Sequence, residues 1–78
     1  MPARCPFCEA VHPIRTPPEP SGQQLECPCG AVGILCAANT EPEVAIRLVE
    51  MGLRDTRPDV LDDTLSIVWG RDWSWWRT

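Results

Sequence analysis

Apolar positions predict two regular elements in the middle of the chain. Residues 31–38 form an almost continuous apolar run, which is typical of a buried strand. Beyond this run, Val44 and Leu48 lie one helical turn apart among charged residues, so residues 41–51 are expected to form an amphipathic helix. Gly52 is well placed to end that helix.

Two short segments carry the signature of a helix start. Residues 40–43 combine an N-cap threonine, a proline in the first turn and a glutamate three residues after the cap. The same arrangement recurs at residues 56–59, where an aspartate takes the place of the glutamate. The pattern therefore predicts a short second helix after the central one.

Residues 64–76 allow two interpretations. Residues 64–69 are rich in β-branched and apolar side chains, and a turn at residues 70–72 would pair them with residues 73–76 as a hairpin. A continuation of the second helix is the alternative, and it would bring together Leu61, Leu65, Val68 and Trp69. We prefer the hairpin, in which five side chains share one face: Leu65, Ile67, Trp69, Trp73 and Trp75.

Length and composition indicate a small domain that needs a cross-link or a bound metal ion to hold its fold together. The chain has 78 residues, of which 44% are hydrophobic, and a domain of this size buries only about 60% of its unfolded surface. Five cysteines are the candidate staple, and a Pro-rich polar loop at residues 15–24 separates them into two groups. We expect one compact, metal-stapled α+β domain. Residues 1–38 would hold the metal, and residues 39–78 would form a helical and Trp-rich part packed on it.

The charge of the chain limits its partners. Seven basic residues, all arginine, face eleven acidic ones, giving a net charge of −4. Nucleic-acid binding usually requires the opposite balance, because phosphate contacts supply much of the affinity. A basic patch would form only if four arginines near the two ends of the chain converged: Arg4, Arg15, Arg71 and Arg77.

The apolar runs also bear on the compartment. None has the length of a membrane span, and the N-terminal residues lack a stretch of signal-peptide type. We therefore expect a cytoplasmic protein that contacts no membrane. Disulfides are disfavoured in that reducing compartment, so metal binding is the expected role of the cysteines.

Four of the cysteines occur in two close pairs. Cys5 and Cys8 form a C-x2-C pair, whereas Cys27 and Cys29 form a tighter C-x-C pair followed by Gly30. Two sulfurs on one tight turn can face one ion, and two such turns complete the four-sulfur shell that Zn2+ accepts. A closed shell leaves no position for substrate, so one structural zinc ion is expected.

This pattern resembles the zinc ribbon superfamily, whose knuckles typically read C-P-x-C-G on two β-hairpins. The resemblance covers residues 5–38 and implies an N-terminal zinc ribbon. Two features depart from it, because Glu9 stands where the family usually has glycine and the second knuckle is one residue short. Rubredoxins hold iron between two such knuckles, but the short second knuckle and the helical second half favour zinc.

The short knuckle raises the question of a substitute ligand. His12 and Cys36 are the two candidates. We expect His12 to be an ordinary, partly exposed histidine, and Cys36 to be a buried small hydrophobe within its apolar run.

The tryptophans are the most unusual feature of the second half. Trp69, Trp73, Trp75 and Trp76 fall within the last ten positions. We expect Trp69 and Trp73 to join the core, and Trp75 or Trp76 to form an exposed contact, because tryptophan is enriched at binding hot spots.

The residue types exclude most catalytic constellations. One histidine, no lysine and no tyrosine leave little to build an acid, a base or a nucleophile, so we expect no enzyme. The sequence favours a zinc-stabilised binding module that contacts another protein, or a second copy, through an acidic, Trp-rich surface. The alternative, which the family resemblance implies, is a nucleic-acid-associated zinc ribbon of the transcription or translation machinery.

Overall fold

The computed structural model describes residues 2–13 and 21–72 of the chain. Within them, six strands and one helix follow one another in the order β1 (Pro2–Arg4), β2 (Val11–Pro13), β3 (Ser21–Glu26), β4 (Val32–Ala37), α1 (Glu41–Glu50), β5 (Asp55–Val60) and β6 (Leu65–Arg71). This content confirms the small α+β domain with β-hairpins and a central helix.

The strands form two antiparallel sheets. β1 and β2 make a two-stranded hairpin, and the other four strands make a sheet in the order β3-β4-β6-β5. The predicted buried strand at residues 31–38 is confirmed as β4. It lies inside the larger sheet and pairs with β3 on one side and β6 on the other.

The central helix forms where the apolar spacing predicts it. Val44 and Leu48 are buried, and the chain leaves the helix through Gly52, whose φ of 90° suits glycine. The Gly52 N–H donates to the Val49 carbonyl and the Leu53 N–H to the Leu48 carbonyl, which is a Schellman end.

The expected capping box is wrong in its chemistry, although the helix begins where it should. The Thr40 hydroxyl donates to the Ala37 carbonyl and does not cap a helix amide. The first turn is instead tied to the sheet, because the Ser66 hydroxyl on β6 donates to the Glu41 carboxylate at 2.6 Å. This bond holds the pKa of Glu41 below its ordinary value.

The predicted second helix is also wrong, since its residues form β5 and the turn that follows. Alternate residues in β5 point their backbone groups to opposite sides. The Leu61 N–H donates to the Leu65 carbonyl at the start of β6. Pro58 lies three residues before Leu61, an odd number, so its nitrogen points away from β6. A proline is tolerated in that outward position of an edge strand because its missing N–H breaks no ladder bond. Pairing with β6 therefore outweighs the local helix signal.

The turn into β6 explains Asp62, which follows β5. The Asp62 carboxylate accepts bonds from the Thr64 N–H, the Thr64 hydroxyl and the Leu65 N–H, at 2.7, 3.0 and 2.8 Å. These bonds, the Thr64 amide first, lower the pKa of Asp62. Asp62 thus fixes a turn between two strands and does not begin a helix.

The strand expected at residues 64–69 is confirmed, but the turn expected after it is wrong. β6 continues through Gly70 to Arg71 and pairs with β4 and β5 on its two sides. Leu65, Ile67 and Trp69 share one face, as predicted, and Trp69 is completely buried. The predictions for Trp73, Trp75 and Trp76 concern residues outside the described part of the chain.

The larger sheet carries a core on each face. The face that we call the helix face packs against α1 through one buried cluster: Ile34, Cys36, Val44, Leu48 and Val68. The opposite face, called the cysteine face here, packs against the cysteine loops through a second cluster: Ala3, Cys5, Cys27, Ala31, Leu35, Leu65, Ile67 and Trp69.

Candidate metal centre

Each cysteine pair lies in the loop of a hairpin. Cys5 and Cys8 lie between β1 and β2, and Cys27 and Cys29 lie between β3 and β4. The loops are closed by backbone hydrogen bonds, because the Cys5 N–H donates to the Ala10 carbonyl and the Cys27 N–H to the Ala31 carbonyl, each at 2.9 Å. The strands therefore fix both ends of each loop, and the two loops meet because Cys5 and Cys27 pack in the same buried cluster on the cysteine face.

The four sulfur atoms form one cluster. All four Sγ atoms lie within 4.8 Å of one another. The shortest Sγ–Sγ distances are 3.3 Å from Cys8 to Cys27, 3.4 Å from Cys27 to Cys29, and 3.7 Å from Cys5 to Cys29. A tetrahedral ion with metal–sulfur bonds of about 2.3 Å separates its sulfurs by about 3.8 Å. The cluster has the size of a four-thiolate metal site.

The residue after each cysteine pair adopts a left-handed backbone. Gly30 has a φ of 97° and Glu9 a φ of 65°. The Glu9 N–H donates to the Cys5 carbonyl, and the Gly30 N–H donates to the Cys27 carbonyl, both at 2.9 Å. The first loop therefore adopts the turn that glycine serves in the zinc-ribbon pattern, although it carries a glutamate there.

Burial and backbone amides act in opposite directions on the thiols. Burial raises the pKa of Cys27 to about 12, against a hydrogen bond from the Cys29 amide. Burial also raises the pKa of Cys5, against the amides of Cys8 and Phe7. The pKa of the exposed Cys8 is instead lowered to about 7, chiefly by its backbone hydrogen bond with Ala10 and then by Cys27.

The pKa shifts separate the exposed Cys8 thiol, which ionises more readily than usual, from the buried Cys5 and Cys27 thiols, which ionise less readily. Backbone N–H groups already face the sulfurs, and such donors stabilise thiolates. In the metal-free chain, however, burial keeps the Cys5 and Cys27 thiols protonated. A metal ion must therefore displace protons from them, which makes metal affinity fall as the pH falls.

The two substitute ligands lie elsewhere. His12 lies on β2 with its ring 5.6 Å from that of Trp69, and it is not part of the sulfur cluster. Cys36 is buried on the helix face, with Val44 and Leu48. Cys36 thus fills the core as expected. His12 is partly buried, and its interaction with the Trp69 ring was not anticipated.

The residues around the first cysteine loop were not predicted from the sequence. The Phe7 ring has the guanidinium carbon of Arg57 at 4.8 Å and that of Arg71 at 5.3 Å from its centroid. Phe7 also packs against the cysteine-face core. The signal available in the sequence was an aromatic residue inside a metal-binding loop, but its cationic partners are more than 45 residues away and depend on the sheet.

The chain was compared with protein-family models, with curated proteins and with solved structures, and no match was found. The likeness to zinc ribbons therefore rests on the two cysteine motifs and on the loops that carry them. Within residues 2–13 and 21–72, no helix has the length and apolar character needed to cross a membrane.

Proposed function

We propose that this chain is a small, non-enzymatic binding module whose fold is completed by one structural zinc ion. The thiolates of Cys5, Cys8, Cys27 and Cys29 would hold the ion. The observation that carries this proposal is the convergence of four sulfurs, from two separate hairpin loops, within 4.8 Å.

The surroundings of the sulfurs favour a structural role over a catalytic one. Four sulfurs fill a tetrahedral shell and leave no open position for water or substrate. Cys5 and Cys27 are also members of the cysteine-face core, so the ion would join two loops to that core. A groove beside the centre is lined by seven residues, none of them a histidine, and its one thiol belongs to the proposed ligand Cys5: Arg4, Cys5, Pro6, Glu9, Arg57, Pro58 and Asp59.

Zinc is preferred to iron because the two loops differ. A rubredoxin-like iron site pairs two equal C-x2-C knuckles, whereas the second loop here is a C-x-C pair with an immediate turn at Gly30. The zinc-ribbon resemblance supports the same choice, since each cysteine pair lies on a β-hairpin.

The partner in this proposal is another protein or a second copy of the chain. The net charge of −4 argues against a nucleic-acid backbone as partner. Arg71 is 9% exposed and lies over Phe7, so it is withdrawn from the basic patch that nucleic-acid binding would need. Trp75 and Trp76, which lie outside the described residues, are the proposed contact residues.

Metal content provides the first test. Mass spectrometry under native conditions should find one zinc per chain, and cobalt substitution should give the visible spectrum of a tetrahedral four-thiolate site. Cys29→Ser should abolish that spectrum, whereas Cys36→Ala should preserve it. An intact cobalt spectrum after Cys29→Ser would show that the ligand set is wrong.

Binding provides the second test. Replacing Trp75 and Trp76 by alanine should leave zinc content unchanged and weaken self-association or partner capture by about 2 kcal/mol or more, the scale of a hot spot. Titration with single-stranded and duplex oligonucleotides at low salt should show no binding. A salt-dependent shift with either oligonucleotide would instead support the nucleic-acid alternative.

A further inference from the structure

Phe7 connects the first cysteine loop to the edge of the large sheet. It lies between Cys5 and Cys8 in the sequence, and its ring has two guanidinium groups over it, at 4.8 Å for Arg57 and 5.3 Å for Arg71. Both distances are within the range of about 6 Å in which an aromatic ring attracts a cation. The ring therefore joins the loop to two strands that are distant in the sequence.

The two arginines occupy neighbouring places on the sheet. Arg57 pairs across β5 and β6 with Trp69, and Arg71 pairs with Asp55, so the arginines are diagonal neighbours on the cysteine face. The Arg57 Nε lies 3.6 Å from the Asp55 carboxylate. Arg71 is 9% exposed. Two positive charges, one of them largely removed from water, are thus held beside the loop that carries Cys5 and Cys8.

Four thiolates around a divalent cation leave a net charge of about −2. Such a centre is stabilised by nearby positive charge, more strongly where water is partly excluded. The Asp55 carboxylate beside Arg57 offsets part of the positive charge at this edge of the sheet.

We propose that Phe7, Arg57 and Arg71 form a positioning group that docks the first cysteine loop and balances the negative charge of the metal–thiolate centre. This inference rests on the proposed metal centre. It assigns a metal-tuning role to residues that contact no metal ion themselves.

Paired variants separate the ring and the charge from simple packing. Phe7→Leu keeps an apolar side chain but removes the aromatic face, whereas Phe7→Tyr keeps the face. Arg57→Gln removes one charge, whereas Arg57→Lys keeps it. Arg47→Gln is the matched control, because Arg47 is an exposed residue of α1, on the opposite side of the sheet.

The measurement is metal affinity by competition with a chelator, with the cobalt spectrum as a check on the ligands. Phe7→Leu and Arg57→Gln should bind zinc about tenfold more weakly or worse, the usual effect of losing an outer partner of a metal site. Phe7→Tyr, Arg57→Lys and Arg47→Gln should remain close to the parent chain. Added salt should reduce the difference in zinc affinity between the parent chain and Arg57→Gln, because salt screens the charge of an exposed arginine.

The possible failures are distinguishable. If the parent chain binds no metal, the proposed function itself fails. If the parent binds one ion through four sulfurs and Phe7→Leu and Arg57→Gln bind it equally tightly, the positioning group is refuted and the metal centre stands. Equal losses for Arg57→Lys and Arg57→Gln would likewise refute the charge-balancing role.

Discussion

The two faces of the large sheet are closed in different ways. On the helix face, the ten-residue helix α1 covers the sheet and packs Val44 and Leu48 against it. On the cysteine face, the cover is made of two loops and a hairpin whose strands have only three residues each. Cys5 and Cys27 contribute buried sulfur there. Apolar packing closes the first face, whereas the second face also brings four sulfurs together.

The comparison also shows why the faces depend on each other. Adjacent residues of β4 and β6 serve opposite sides, so Leu35 and Ile67 belong to the cysteine face while Ile34 and Val68 belong to the helix face. A strand that loses its partners on one side loses its position on the other. The two clusters should therefore fold as one cooperative unit.

Removal of the proposed zinc ion should disrupt this arrangement most severely. Structural zinc contributes free energy on the order of 10 kcal/mol to folding, more than so small a core can replace. We expect a chelator, or Cys27→Ser, to unfold both faces together. Hydrogen exchange should then show that the amides of α1 and β4 lose protection at the same chelator concentration.

Cys36→Ala is the control for that experiment. It removes a sulfur from the helix face and should cost about 1–2 kcal/mol through lost packing, without loss of metal. A chelator-treated chain in which α1 stays protected while the cysteine loops open would show that the faces are independent.

Truncation of the helix-face core should have the next largest effect. Leu48 has 0% exposure, so Leu48→Ala should lower the free energy of unfolding by about 2–5 kcal/mol. Ile46, on the outer side of the same helix, is 59% exposed, and Ile46→Ala should change it by less than about 0.5 kcal/mol. Urea unfolding at saturating zinc measures the free energy of unfolding of both variants. An equal loss of stability in Leu48→Ala and Ile46→Ala would mean that α1 packs in another orientation.

One glycine on each face tests how closely the core is packed. A Cβ at Gly33 would lie 2.9 Å from the Trp69 ring, on the cysteine face. A Cβ at Gly70 would lie 3.1 Å from Leu53 Cβ and 3.2 Å from Leu48 Cβ, on the helix face. Gly33→Ala and Gly70→Ala should each lower the free energy of unfolding by about 1–3 kcal/mol, because the added methyl group overpacks the core.

The loss should be larger for Gly33→Ala, because the Trp69 ring is rigid and fully buried. Thermal unfolding of the zinc-bound chains would rank the two variants. The reverse order would indicate that the helix face is the more tightly packed of the two.

The parts of the fold that the sequence predicted are those fixed by short-range patterns. Val44 and Leu48 repeat at helical spacing and are also buried by the sheet, so periodicity and burial agree in α1. The paired cysteines predicted their own convergence, because two tight turns that each carry two thiols match the spacing of a four-sulfur metal site.

The parts that it missed depend on pairing between distant segments. The cap-like residues around Pro58 resemble those before α1, and Leu61, Leu65 and Val68 repeat at helical spacing after them. Within residues 55–60, however, Thr56, Pro58 and Val60 alternate with charged residues, which is the period of a strand. That alternation can be read from the sequence. The contact of Arg71 with Phe7 cannot, because it depends on how β6 is placed against the first cysteine loop in the folded chain.

The smallest predicted effect compares the turns of the two cysteine loops. Glu9 holds a φ of 65°, a conformation that costs a side-chain-bearing residue about 1–2 kcal/mol, whereas glycine adopts it freely. Glu9→Gly should therefore raise the free energy of unfolding by about 0.5–1 kcal/mol, after the extra entropy of glycine in the unfolded chain is subtracted. Gly30→Ala should lower it by about 1 kcal/mol. A Cβ at Gly30 meets no atom within 4 Å, so only the cost of the left-handed backbone conformation applies.

Glu9→Ala separates the effect of the backbone conformation from that of the charge, because it removes the carboxylate and keeps the backbone strain. We expect no gain from it in chemical denaturation at saturating zinc. If Glu9→Gly and Glu9→Ala instead change stability equally, the carboxylate and not the turn sets the difference between the loops.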